Sequence, residues 1–411
     1  MPKPPAVAAF LAFDPGPSFW VTVSALALGQ LLSWAALYYA FSSFVLPMQH
    51  ALGWGKPLLM GAFTLGLAVF GAATYAVGAA IDRGHGQAVM TGGAALGGVG
   101  FLAWSLVSAP WMLYAVWAVL GAAMAATLYE PAFAVLTKRY PERYRQGITA
   151  LTLVGGFAST LAFPSIAALL RVMDWRWALA LIGAVLLAVA PLHHWALRGP
   201  ALVASARPAD EADDATLHQA LRQRAFWLLT LCFTLYALVQ AAMWAHVMPA
   251  FAAKGVSEAD ALLVLVCIGP AQVAGRLLYV WLGRSWSLRT LGAVVLTGLP
   301  LSMLLFALGR SLGVLLLFAL LFGLANGLVT IVRGGLVPAY FGRTHVGRIG
   351  GLMSGIGLFA RAGGPLLVAW LLLAVPDYST LLLLLSGIGG VSVLAFWAAR
   401  PPLAASQSAQ I

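Results

Sequence analysis

Apolar stretches of about twenty residues recur along this entire chain, separated by short polar turns. A backbone in hydrocarbon must satisfy its own hydrogen bonds, and a helix needs about 20 residues to cross a bilayer. The runs fall at 19–46, 58–81, 88–108, 111–136, 148–170, 177–197, 225–250, 260–282, 289–308, 312–338, 348–374 and 379–399. Each reads as a transmembrane helix. Outer-membrane strands would instead alternate in segments of about ten residues. Hydrophobic residues make up 62% of the chain and charged ones 9%, against about 25% charged in soluble domains. So few charges cannot cover a soluble surface, and so much apolar content excludes a disordered chain.

The charge balance orients the spans. The formal net charge is +11. By position, fifteen Lys and Arg fall on one side of the spans, five on the other and three inside them, which accounts for all 23. The richer side is expected to be cytoplasmic, with both termini there. The excess is therefore topogenic, and no basic run with interleaved aromatics points to nucleic acid. The apolar run from Phe19 is too long for a signal-peptide core, so it reads as the first span. Cys232 and Cys267 both lie in apolar runs and read as packing residues. No Cys/His metal spacing occurs. Neither a metal nor a cofactor is expected.

The longest polar stretch follows the sixth span. It carries Asp210, Glu211, Asp213 and Asp214. The expected organisation is a cytoplasmic tail at 1–18, a six-helix bundle at 19–197, a linker at 198–224, a second bundle at 225–399 and a tail at 400–411. Landmarks repeat between the halves: Pro47 and Pro249, which close spans 1 and 7, Arg83 and Arg284, Gly121 and Gly323, and Pro164 and Pro365. Each pair is separated by 201 or 202 positions. One nearly constant offset argues for duplication of a six-helix unit. Parallel repeats of this kind are a transporter feature, with the binding site near mid-membrane between the halves.

After span 2 the chain reads Gly78-Ala-Ala-Ile-Asp82-Arg83-Gly84-His85-Gly86-Gln87. This resembles the loop 2–3 signature of the major facilitator superfamily, although His85 replaces an expected glycine and the following basic pair is missing. The resemblance spans all twelve helices. It implies that Gly78, Asp82 and Arg83 form a conformational latch that stabilises the outward-facing state. Chemically, Gly78 lets a neighbouring helix come close. Asp82 can pair with Arg83 or with helix N-terminal amides across the half-interface. The repeat copy has Gly283 where the acid would be, so the latch is expected on one side only. Pro47 to Trp54, Gly61 to Gly66, the Gly275-Arg276 pair and the cation Arg361 are similar to the monocarboxylate and oxalate/formate porters. In that branch such cations meet a substrate carboxylate. The span 5 signature of drug/proton antiporters is absent.

Ionisable residues within spans usually face a cavity or a partner. Glu130 is the one acid in any span, beside Pro131, which frees a backbone carbonyl one turn earlier. Two readings stand: a proton carrier, or a static ion pair with an arginine. Arg333 follows 203 positions later, at the near-equivalent place in the other half, so the two can meet across the midline. Arg361 in span 11 and Arg276 in span 8 are further cation candidates. Three buried cations against one acid leave a positive excess that an anionic ligand resolves, and an arginine fork matches a carboxylate. In a second layer, Gln30, Trp34 and Tyr38 share a face of span 1. Tyr236, Gln240 and Trp244 share one of span 7, and Asn326 lies on the face of Arg333.

The expected protein is thus an all-α, polytopic, monomeric transporter of the inner membrane, embedded in the lipid bilayer. It moves a small organic anion by alternating access, with the proton as coupling ion. Its expected ligand contacts are Arg333, Arg361, Arg276, Tyr38, Gln240, Gln30 and Asn326, with Glu130 for coupling. A proton-driven exporter of amphipathic compounds and an anion/anion exchanger are the alternatives. A membrane enzyme would need paired acids or a nucleophile set within the spans, which the sequence lacks. A sensor would need an output domain larger than this linker.

Overall fold

The computed structural model describes residues 17–199, 214–283, 286–374 and 377–401. Arg284 and the linker acids Asp210, Glu211 and Asp213 lie outside them. Ten helices among the described residues are long and apolar enough to cross a membrane. The longest, Pro57–Ser105, comprises two helices. They are α3 (Lys56–Ala80) and α4 (Gly86–Ser105), joined through the turn Ile81–His85, where Gly84 has φ +92°.

The chain opens with α1 (Phe19–Ser33), a π-helical stretch (Trp34–Tyr39) and α2 (Ala40–Leu52) in one rod. Next come α3 and α4, then α5 (Pro110–Thr127), α6 (Tyr129–Arg139), α7 (Tyr144–Gly155), α8 (Ala158–Val172) and α9 (Trp175–Ala196). A short α10 (Leu217–Arg222) follows, started by a Thr216/Gln219 capping box. The remaining helices are α11 (Arg224–Ala253), α12 (Glu258–Leu278), α13 (Leu288–Leu308), α14 (Leu312–Phe341), α15 (Val346–Ala374) and α16 (Tyr378–Ala398).

Packing repeats along the chain. The α3–α5, α4–α5 and α4–α9 contacts have counterparts in α12–α14, α13–α14 and α13–α16. At equivalent places Gly121 lies on the Gly66 carbonyl and Gly323 on the Ile268 carbonyl, too close for a methyl group. The prolines expected to close spans 1 and 7 do not close them. Pro47 and Pro249 sit inside α2 and α11, and the helices run on to Leu52 and Ala253. The stops are Gly53 (φ +68°) and Gly255 (φ +71°), left-handed positions at or just beyond the helix ends, also 202 apart.

Polar side chains meet helix ends. Arg139 donates to the Leu197 and Arg198 carbonyls after α9, and Arg289 and Tyr340 donate to Ala399 after α16. Arg176 stacks on Trp175 and donates to Ser105 at the end of α4. Lys254 Nζ reaches Ala307 and Gly309 at the end of α13. The basic residues Lys138, Arg139, Arg289 and Arg348 are gathered by these and neighbouring contacts at one end of the molecule, with Phe19 and the start of α15.

The span that carries Glu130 is broken. Leu128 is extended (ψ −157°) between α5 and α6. Pro131 has no amide to return to Thr127, and Gln30 Nε2 fills that place, donating to Thr127 O at 2.5 Å and to Leu128 O at 3.3 Å. Gln30 is fully buried. Its amide nitrogen thus closes a backbone gap, while its Oε1 has no hydrogen-bond partner among the described residues. Gln30→Leu leaves those carbonyls unpaired and is expected to lower stability by about 1–3 kcal/mol, read as a fall in unfolding temperature in detergent.

Candidate functional site

Helices before and after residues 200–213 meet chiefly along α3 and α15, with lesser contacts of α7 against α12 and α14. Gly78 faces Gly347 so closely that a methyl group on either would strike the other's carbonyl, and Gly351 rests on the Thr74 carbonyl. Thr74 Oγ1 donates to Gly351 O at 2.8 Å. Small residues thus let two backbones touch. The Asp82 carboxylate caps the N-terminal end of α15, accepting from Gly347 N at 2.9 Å and Arg348 N at 2.8 Å. The positive end of a helix dipole suits such a carboxylate. Lys138 Nζ ties the corner, donating to the Asp82 and Thr344 carbonyls. Arg83 is exposed, and Asp82 pairs with Lys138 and Arg348 instead.

Further along this seam lies a narrow cavity of about 50 Å³, lined by Thr74, Gly78, Glu130, Phe233, Arg333 and Ser354 among others. Arg333 and Glu130 form an ion pair across it. The two residues expected to meet from equivalent positions do meet. Asn326, on the same helix, accepts a hydrogen bond from Gln240 at 2.5 Å, so these two half-buried amides engage each other.

The other two arginines have no acid partner among the described residues. Arg276 is 4% exposed. Its Nε donates to Gly327 O at 3.0 Å. Its guanidinium extends to Gly156, where α7 ends, and one terminal nitrogen has no hydrogen-bond partner among the described residues. Arg361 is half-buried and stands over the Tyr38 ring, 5.5 Å from its centre. Tyr38 and Tyr39 lead into a cleft of about 630 Å³, lined also by Phe41, Ser42, Gln49 and Phe63. Tyr236 is 3% exposed, and its buried hydroxyl has no hydrogen-bond partner among the described residues. Trp244 packs on Phe322.

A family model of the Major Facilitator Superfamily matches residues 26–294. The chain belongs to that superfamily. It is therefore a multi-pass membrane transporter of small molecules and not an enzyme. Monocarboxylate transporter 11 of Homo sapiens is 29% identical over 306 residues, 72% of this chain and 63% of that protein, which puts the chain near the monocarboxylate branch. The match thus spans less than two thirds of that relative. Two solved structures share the fold. One is the human organic anion transporter MFSD10 (TETRAN), at 18% identity and TM-score 0.68, covering 93% of this chain and all of that one. The other is the E. coli fucose:proton symporter, at 17% identity and TM-score 0.72, covering 94% and 100%.

In this member of the superfamily, three site features escaped the sequence reading. Tyr39 joins Tyr38 at the cleft because Trp34–Tyr39 is π-helical. In an α-helix successive residues diverge by about 100°, and the Tyr38-Tyr39 pair was the available signal. Lys138 looked only topogenic. Asp214, read as a linker acid, accepts from Arg343 N, Thr344 N and Thr344 Oγ1, so it grips the turn before α15. Replacing Asp82 with leucine removes a charge-assisted cap worth about 1.5–3 kcal/mol. With Thr74→Cys introduced in a background lacking Cys232 and Cys267, Asp82→Leu is expected to speed thiol labelling at position 74.

Proposed function

We propose that this chain is a secondary active transporter of an organic anion, a monocarboxylate or similar carboxylate, working by alternating access. In this reading twelve spans form two six-helix bundles, 19–197 and 225–399, joined by the 198–224 linker. Both termini face the cytoplasm of a cell whose inner (plasma) membrane holds the protein as a monomer. The carrying observation is the imbalance of charge between the halves: Arg333 has Glu130, while Arg276 and Arg361 have no acid among the described residues. A carboxylate bound there supplies the missing negative charge.

The α3–α15 seam then closes the cytoplasmic end, and Gly78, Asp82, Lys138 and Arg348 act as its latch. Arg83 is left to solvent. The cleft beside Tyr38 is the outward-open vestibule. Glu130 is the coupling group. While it holds Arg333, that cation is occupied, and a proton on Glu130 releases Arg333 to the substrate. Gln240 and Asn326 flank this exchange and orient the ligand. The names of the relatives, a monocarboxylate transporter, an organic anion transporter and a proton symporter, support this reading. The aromatic lining of the cleft favours, as a second reading, export of amphipathic compounds by proton antiport. Anion/anion exchange is a third mode and needs no titrating Glu130.

In proteoliposomes, carboxylate uptake is expected to acidify the lumen. Arg361→Gln and Arg333→Gln should each weaken binding by about 2 kcal/mol or more, roughly thirtyfold. Full activity in both variants would sink the anion site. Glu130→Gln should abolish pH-driven accumulation while leaving exchange, and indifference to it would remove Glu130 from coupling.

A further inference from the structure

The wall opposite Arg361 is built from rings. Trp34 lies 5.2 Å from Tyr38, 6.3 Å from Tyr39 and 4.9 Å from Tyr129, centre to centre. Tyr38 and Tyr39 meet edge to face at 5.3 Å, Tyr38 leans on Phe63 at 6.2 Å and Tyr39 on Phe163 at 6.0 Å. The π-helical stretch makes this possible by turning both tyrosines to one side, and such stretches are common at functional sites. Behind the wall, Phe41 stacks on Phe63 at 4.7 Å and both abut Trp117, so the rings are held in place.

Size and polarity narrow the occupant. A three-carbon acid has about six heavy atoms. At no more than water's ~30 Å³ each, it fills less than a third of a cleft of about 630 Å³. Apart from the two phenols, only Ser42 and Gln49 among the lining residues are polar. Two buried donors have no partner among the described residues: a terminal nitrogen of Arg276 and Trp34 Nε1. Trp34 packs against Tyr129.

Resting on the carboxylate reading above, we propose that the substrate is a carboxylate that carries an aromatic ring. Its charged end meets Arg361, and its ring lies against Trp34, Tyr38 and Tyr39. Aromatic faces and edges reward an aryl group over a saturated ring of the same size. Tyr38 is the specificity-determining residue, because it touches both the cation and the wall.

The test uses the full chain in proteoliposomes, with uptake and mutual competition of phenylacetate, cyclohexylacetate and acetate. Phenylacetate is expected to bind a few-fold to tenfold more tightly than cyclohexylacetate, and acetate more weakly still. Tyr38→Phe should keep that preference and Tyr38→Leu should erase it, while Arg361→Gln should weaken both ring acids together. Equal binding of the two ring acids by the unaltered protein overturns the aryl proposal and leaves the carboxylate reading standing. So does acetate binding as tightly as phenylacetate. If none of the three binds or is carried, the carboxylate reading fails and this proposal falls with it.

Discussion

An unpaired backbone carbonyl or amide away from water loses a full hydrogen bond, and this chain has few polar side chains with which to prevent that. Most of those within the helical body are committed to it. Gln30 covers the gap at Thr127, Arg139 the end of α9, Arg289 and Tyr340 the end of α16, Arg176 the end of α4 and Lys254 the end of α13. Asp82 does the same for the amides that open α15. Once these are set aside, the uncommitted charges are few. Arg361 makes no such bond among the described residues, Arg276 is half engaged, and Arg333 and Glu130 hold each other. The site is what remains after the backbone has been satisfied.

The same rule governs the α3–α15 seam. Its closest contacts are small residues and backbone groups, with Leu358 and Phe359 of α15 lying against Gly71. Asp82 and the α15 amides can exchange each other for water if that end opens, at a modest net difference per bond. Asp214 adds a connection of another kind. Through Arg343 and Thr344 it fixes the segment leading to α10 onto the turn before α15. That segment is therefore attached to the α15 side of the seam, and motion across the seam need not detach it.

Much of this could be read from the sequence because hydropathy acts over twenty residues and survives small errors. The helix-rich body and the Glu130–Arg333 meeting follow from apolar runs and one repeat offset. Asp82 on helix amides was among the stated options because Asp at a helix junction has few other uses. What was not legible depends on details shorter than a turn. The π-helical stretch shifts Tyr39 by a fraction of a turn, and no composition rule announces it. The bond from Gln30 to the Thr127 carbonyl was not legible either, because that carbonyl is open only once Pro131 has broken the facing helix. Pro47 and Pro249 were misread as stops. A proline one turn before the helix end removes a single bond, whereas Gly53 and Gly255 supply the left-handed backbone that ends the helix.

The repeat offset also shows where duplicated positions diverged. Gly121 and Gly323, or Gly53 and Gly255, stay alike because both halves need the same close approach or the same stop. Among the unlike residues that the offset pairs are some of the seam and the cleft: Glu130 with Arg333, Asp82 with Gly283, Tyr38 with Gln240. A pair of identical charges facing across the midline would repel, whereas an acid on one side and an arginine on the other attract. Divergence at those positions turns a symmetric seam into one with a direction. The aromatic cleft then lies toward one end of the molecule, with Asp82 and its helix cap at the other.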